Sequence, residues 1–263
     1  MLFWAAVALV IMLPIALTIR NNPQYKGYGP DWEPIDRVKP IDTPTQQENP
    51  ARDSGPGVKR SSNFSEAVRS RSFWFLSASH LICGVGCGFM LTHVVAFATD
   101  VGYSEMIGAS LVSVQGGANL VGLLVTGPLS DRIVRKNVLA LTHFVRSMSF
   151  VSFVIFVVLG GDSLWLLYMA IVFFGFGWFT TAPLAAGLVA DLFGSLSMGT
   201  ILGVVTSCHM FGAAIGAYAG GAIFESTHSY YLFFVIQGIL EFLAVIFAFS
   251  IKQKSATRIA LAD

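Results

Sequence analysis

The stretch GPLSDRIVRKNV at residues 127–138 concentrates charge between two long apolar runs. Asp131, Arg132, Arg135 and Lys136 fall within six positions, although only 12% of the 263 residues are charged. The chain as a whole is 54% hydrophobic with a mean hydropathy of +0.68, which is more apolar than a soluble domain of this length requires. Uncharged runs of about 18 residues or more predict membrane-spanning helices. The stretch, called the charged segment below, therefore joins two such helices.

The apolar runs predict an all-α integral membrane protein with seven transmembrane helices. Each run is long enough to cross a hydrocarbon core of about 30 Å at a rise of 1.5 Å per residue. The first run favours a helix over a signal peptide, because no basic region precedes it and no small-residue cleavage site follows it. The predicted spans are 2–19, 73–98, 106–128, 138–159, 163–189, 197–224 and 229–251.

The distribution of Lys and Arg predicts how the spans are oriented. Basic residues occur in 20–72, 129–137 and 252–263, whereas the loops at 99–105, 160–162 and 225–228 have none. Since basic loops stay in the cytoplasm, we expect an outside N-terminus and a cytoplasmic C-terminus in the cell (inner) membrane. The predicted domains are a single transmembrane helix (1–19), a cytoplasmic linker (20–72), a six-helix bundle (73–251) and a cytoplasmic tail (252–263).

The linker contains seven of the ten prolines and few large apolar side chains. Such a composition predicts disorder up to about residue 62, because too little apolar surface is available to offset the cost of ordering. From there NFSEAVRSRSFW (63–74) favours a helix start, in which Asn63 caps the helix and Glu66 reaches back to it. The alternative is that the linker continues.

The charged segment has a simple explanation and a more specific one. Arg132, Arg135 and Lys136 suffice as an anchor that keeps this loop in the cytoplasm. That anchor does not explain Gly127 or Asp131. An Asp beside two helix ends can accept from backbone N–H groups and pair with an Arg, which would hold the helices in register.

The pattern Gly127-x-x-x-Asp131-Arg132-x-x-Arg135-Lys136 resembles the signature loop of the major facilitator superfamily, G-x-x-x-D-R-x-G-R-R. Val134 stands where Gly is usual, and a β-branched residue resists a positive φ, so we expect a different turn. Five further stretches resemble the C-terminal part of bacterial carriers related to oxalate/formate and monocarboxylate transporters. They are EAVRSRSFWFL (66–76), HVVAFATDVGYS (93–104), VADLFG (189–194), GTILG (199–203) and HSYYLFF (228–234).

The resemblance implies helix six, a central loop and helices seven to twelve of such a carrier. It also implies a secondary transporter that moves a small organic anion, a carboxylate, across the lipid bilayer by alternating access. Helices one to five would come from a longer gene or a partner chain. The alternatives are a non-transporting multi-pass membrane subunit and a seven-helix receptor-like protein. No paired nucleophile and base, metal-ligand cluster or phosphate loop occurs, and the net charge is only +1, so we predict no enzyme activity, no cofactor and no nucleic-acid partner.

Polar side chains on the inner helices are the candidates for a substrate path. Gln115 and Asn119 are four residues apart on one helix face, and Thr180 and Thr181 precede Pro183, which would loosen the backbone of the fifth span. The alternative for each is an ordinary interhelical hydrogen bond, worth about 0.6 kcal/mol. The resemblance places their helices around the central path. The candidates are His80, Gln115, Asn119, Thr180, Thr181 and His209.

Two charged residues of opposite sign, Arg146 and Glu241, lie deep within the predicted spans. A buried Arg costs about 2.5–3.5 kcal/mol on the insertion scale, so it needs a partner. Three interpretations stay open: a structural ion pair, a partly hydrated Arg with a protonated Glu, and a direct substrate or proton site. The resemblance implies that their helices are peripheral supports.

The remaining small residues suggest packing. Gly212, Gly216 and Gly220 recur every four residues, which lets another helix approach closely and offers one possible contact for self-association. Cys83, Cys87 and Cys208 lie in apolar runs and are interpreted as small buried residues.

Overall fold

The computed structural model of the protein describes residues 63–194 and 197–253, and these ranges contain helices only. The first predicted span, most of the linker and the tail beyond 253 lie outside the described residues. The helices are α1 (Phe64–Arg69), α2 (Arg71–Asp100), α3 (Glu105–Arg132), α4 (Arg135–Val158), α5 (Leu164–Phe176), α6 (Thr181–Phe193), α7 (Met198–Thr227) and α8 (Tyr231–Ser250).

Six membrane crossings in this part of the chain are confirmed as long and apolar enough to span a bilayer. Five of them are the single helices α2, α3, α4, α7 and α8, and the sixth is formed by α5 and α6 together, Leu164–Phe193. The predicted boundaries are close to the observed ones. The largest differences are four residues, at the C-terminal ends of α3 and α6, which both extend farther than predicted.

The fifth crossing is broken, whereas the sequence predicted one span over 163–189. Residues 177–180 interrupt the helix between α5 and α6, before Pro183 and not at it. Because Pro183 has no N–H to donate to the carbonyl of Phe179, that carbonyl accepts from the N–H of Ala182 at 3.2 Å. Pro183 itself lies in the first turn of α6, where a missing N–H costs little.

The short helix α1 begins where the capping pattern predicts, at Phe64 after Asn63. The predicted capping bond is absent, since the side chain of Asn63 accepts no hydrogen bond from the helix. The backbone carbonyl of Asn63 accepts instead from the backbone N–H groups of Glu66 and Ala67 at 3.0 and 3.1 Å.

Helix α2 lies at the centre of the bundle and packs along α7 and α8. Two apolar clusters form the core. One contains Phe89, Phe150 and Phe234, and the other contains Leu76 and Leu139. On α2, α4 and α8 alike, a layer of buried polar side chains separates the two clusters. We call this the polar layer; its members on these helices are Ser77, Ser79, His80, Thr142, His143, Arg146, Ser147, Ser149, Gln237 and Glu241.

The close contact between α2 and α7 is made by glycines from both helices. A Cβ at Gly212 or Gly216 would overlap the carbonyl oxygens of Leu81 and Val85 on α2. A Cβ at Gly84 would likewise overlap the carbonyl of His209 on α7. The glycine repeat is therefore buried inside the bundle, and the suggestion that it serves self-association is wrong, because α2 already occupies it.

Candidate transport site

Arg146 and Glu241 meet in the polar layer, and both side chains are completely buried. Nη2 of Arg146 lies 2.8 Å from Oε1 of Glu241, and Nε donates to the same oxygen at 2.9 Å. Nη2 also donates to the carbonyl of Cys83 at 2.9 Å, and the guanidinium lies 4.5 Å from the centre of the Phe174 ring. Of the three interpretations, a partly hydrated Arg does not fit this geometry, because its charge has partners within the bundle and no exposure.

Two further residues complete the network, and the sequence analysis missed both. His143 places Nδ1 2.9 Å from Oε2 of Glu241. The Nε2 amide of Gln237 donates to the carbonyl of Ile82 at 3.0 Å and lies 3.4 Å from Oε1 of Glu241. The spacing carried the signal, since His143 is three residues from Arg146, Gln237 is four from Glu241, and such neighbours share a helix face.

Glycines make room for the guanidinium. A Cβ at Gly177 would lie 2.6 Å from Cγ of Arg146, and one at Gly86 would lie 3.0 Å from its Nη2. Gly177 is also the first residue of the α5–α6 break, and its carbonyl lies 3.5 Å from Nη1 of Arg146. The ion pair therefore supports the break from the side of α4.

The candidate path residues near the break form two groups, according to whether their polar atoms have partners. Asn119 is used structurally: its Oδ1 accepts from the backbone N–H of Phe179 at 2.9 Å. Gln115 is buried at the point where the α3 backbone passes Gly175 of α5. Thr181 Oγ1 lies 3.6 Å from the Cys83 thiol.

Thr180 and His80 form the second group. Both are buried, yet neither the Oγ1 of Thr180 nor either ring nitrogen of His80 makes a hydrogen bond of good geometry with the described residues. The His80 ring lies beside the backbone of Leu76 and Thr181 and 6.4 Å from the ring of His209. His209 itself is partly exposed.

The charged segment is mostly helical and not a turn, which corrects the expectation from sequence. Helix α3 continues through Gly127, Asp131 and Arg132, and α4 begins at Arg135, so only Ile133 and Val134 lie between the helices. Val134 has φ −54°, which a β-branched residue adopts without strain. The different turn at this position is thus consistent with Val in place of Gly.

The helix-joining contact expected of Asp131 is made by Asp191. Asp131 and Arg132 are exposed, and Asp131 forms no ion pair or hydrogen bond with the described residues. Nη1 of Arg135 lies 2.7 Å from Oδ2 of Asp191 at the end of α6. Asp191 also accepts from Nε2 of Gln253 at 2.8 Å.

Lys136 ties the start of α4 to the end of α8. Its Nζ donates to the carbonyls of Phe249 and Ile251 at 3.0 and 2.9 Å, and its backbone N–H donates to Oε1 of Gln253 at 3.0 Å. The three basic residues of the charged segment therefore differ: Arg135 and Lys136 join helices, whereas Arg132 faces outward.

The cysteines are free thiols, of which Cys83 and Cys87 are buried and Cys208 is partly exposed. Nowhere in residues 63–194 and 197–253 do three His, Cys, Asp or Glu side chains come together as a metal site would need.

A sequence model of the Major Facilitator Superfamily matches residues 1–217. The chain belongs to this superfamily. Its members are transporters and not enzymes, and the resemblance seen in the charged segment is confirmed.

Curated relatives in this superfamily are similar over most of this chain. An uncharacterized MFS-type transporter, YcxA, of Bacillus subtilis (strain 168) is 28% identical over 62% of this chain and 42% of its own length. Monocarboxylate transporter 12-B of Danio rerio is 26% identical over 68% of this chain and 37% of its own. Monocarboxylate transporter 12 of Homo sapiens is 27% identical over 71% of this chain and 37% of its own length. The matched part of the chain thus spans less than half the length of these relatives.

Proposed function

We propose that this chain is the C-terminal part of a secondary active transporter that moves a small organic anion, a carboxylate, by alternating access. Superfamily membership supports a transport function. Two relatives are named monocarboxylate transporters, which favours a carboxylate as the solute. The observation that carries the proposal is the broken fifth crossing. Non-helical backbone at membrane depth is tolerated only where protein buries it or it lines a water-filled cavity, and here buried polar groups surround it.

We further propose that the chain acts together with helices one to five, supplied by a longer gene or a partner chain. The candidate path residues Asn119 and His209 are only partly buried by the six described crossings. Facing lipid, an unsatisfied polar group would cost up to several kcal/mol. A second half-bundle would cover these groups and complete the path.

Counterflow in liposomes tests the transport proposal. The chain is reconstituted alone and, in parallel, as the assembly purified from its native membrane, with formate, acetate, L-lactate and oxalate as substrates. We expect saturable counterflow of at least one acid with the assembly and none with the chain alone. Uptake of no acid by the assembly would contradict the carboxylate proposal. Saturable counterflow from a monodisperse monomer would contradict the need for further helices.

A further inference from the structure

We propose that the α5–α6 break is a solute-binding element in which Thr180 and His80 donate hydrogen bonds to an oxygen of the transported solute. Asn119 is the positioning residue that holds the break in place. The proposal rests on the proposed function and names which candidate path residues touch the solute. It also assigns them a chemistry that depends on no fixed charge.

The break is held from two sides. Asn119 accepts the N–H of Phe179 from the α3 side, and Arg146 lies against Gly177 from the α4 side. Backbone groups freed by a helix interruption need such partners in the membrane interior. Because both supports come from long continuous helices, residues 177–180 have a fixed shape without a ligand.

Buried polar groups without a hydrogen-bond partner in the described part of the chain lie at and beside the break. Thr180 Oγ1 and both His80 ring nitrogens are buried without a well-formed hydrogen bond to the described residues. An unsatisfied buried polar group costs about 1–3 kcal/mol, so such groups call for a function or a partner. The buried hydroxyl of Thr142 is satisfied, since it donates to the Leu139 carbonyl at 2.7 Å, whereas Ser77 Oγ, three residues before His80, also makes no hydrogen bond with the described residues.

Arg146 is the one Lys or Arg near the middle of the described crossings, and its guanidinium is already bound to Glu241 and the Cys83 carbonyl. The groups left for a solute are a hydroxyl and an imidazole N–H, which donate to a carboxylate, carbonyl or amide oxygen alike. The break therefore recognises an oxygen acceptor and does not distinguish an acid from its amide.

Trp178 offers a reporter inside the break. It is half-buried, and its ring lies 4.6 Å from that of Phe179. The assembly purified from its native membrane is titrated with acetate, L-lactate and oxalate, and with acetamide and lactamide, while tryptophan fluorescence is recorded. The signal assigned to the break is the part that disappears in Trp178→Phe.

We expect a saturable signal from at least one acid. Thr180→Val and His80→Leu each raise its half-saturating concentration about threefold to tenfold, the factor for one neutral hydrogen bond. Thr180→Ser and His80→Gln, which keep a donor, restore most of the affinity and show that a loss is not misfolding. The control Thr142→Val titrates like the wild type.

Thr180→Val and His80→Leu should each lower the affinity for the acid and for its amide by the same factor. Asn119→Leu should shift the Trp178 emission before any solute is added, whereas Asn119→Asp keeps the acceptor and the spectrum. Unchanged emission in Asn119→Leu would show that Asn119 does not hold the break in place.

Three results would overturn the proposal. The first is wild-type affinity in both Thr180→Val and His80→Leu. The second is a loss of affinity for the acid but not for its amide, which would require a charged group at the break. The third is saturable counterflow of an acid that leaves Trp178 unaffected, in which case transport stands and the assignment of the break fails. A preparation that transports none of the acids contradicts the proposed function itself.

Discussion

At the scale of single residues, the polar layer is the feature that most departs from an apolar membrane interior. Arg146 is the largest completely buried side chain of the described residues, and Glu241, His143 and Gln237 surround it without exposure. Removing one member of a buried pair leaves an uncompensated charge, which costs about 3–5 kcal/mol, whereas replacing both with apolar groups is often tolerated. The network is thus expected to fix how α4, α8 and α2 pack, more than to add stability.

A double-mutant cycle tests the coupling of Arg146 to Glu241. Arg146→Met and Glu241→Met should each lower the free energy of unfolding in detergent by about 3–5 kcal/mol. The double variant should lose less than the sum, with a coupling of about 0.5–3 kcal/mol, because no charge is stranded.

The control for this cycle is Thr126→Val combined with Glu241→Met, since the Thr126 hydroxyl donates only to Gly122 of its own helix. Those two changes should add. If the losses of unfolding free energy from Arg146→Met and Glu241→Met simply add, the two side chains are not energetically coupled.

At the scale of helices, two contacts decide how the bundle closes: the glycine contact between α2 and α7 and the charged segment between α3 and α4. In both, a backbone or side chain of one helix fits against a specific group of another. Gly216, for example, lies directly against the Val85 carbonyl.

Gly216→Ala should force α2 and α7 apart, because its new Cβ overlaps the Val85 carbonyl. Overpacking of this kind costs about 1–3 kcal/mol, measured as a lower free energy of unfolding in detergent. Gly203→Ala is a matched control on the same helix, since a Cβ there meets nothing within 4 Å. The oligomeric state should not change in either variant, and dissociation of an oligomer by Gly216→Ala would contradict an intramolecular contact.

The charged segment gives a second prediction at this scale. We propose that Asp131 has a gating role, and Asp131→Asn should then impair transport by the complete carrier while membrane insertion stays normal. Asp191→Asn removes the ion pair with Arg135 that connects α4 to α6. It should lower the free energy of unfolding by no more than about 1 kcal/mol, because the pair is partly exposed.

Transport rate and the amount of inserted protein are measured for both variants. If Asp131→Asn transports normally, the charged segment is only an anchor that keeps this loop in the cytoplasm.

At the scale of the whole molecule, the proposed orientation puts the loops without Lys or Arg outside the cell. Single cysteines at Ser104 and Ser229, introduced into a chain lacking its native cysteines, should react with an impermeant reagent added to sealed cells. A cysteine at Ser54 should stay unlabelled, because the basic segment 20–72 is expected in the cytoplasm. Labelling at Ser54 would reverse the proposed topology.

The sequence by itself determined the number and position of the six described crossings, because an apolar run of sufficient length has no other stable arrangement in a membrane. It also identified the superfamily through Gly127, Asp131 and the basic residues that follow. It named Arg146 and Glu241 as unusual for the same reason, since charge stands out where nearly every neighbour is apolar.

Only the tertiary structure decided which of these residues meet. Asp191 lies 56 positions from Arg135, His143 lies 98 from Glu241, and Gln237 lies 155 from Ile82, and no local pattern encodes such separations. The break at 177–180 was not predicted for the same reason, because the residues that contact it, Asn119 and Arg146, lie on other helices. Spacing along a chain fixes the face of a helix, whereas packing between helices fixes what that face touches.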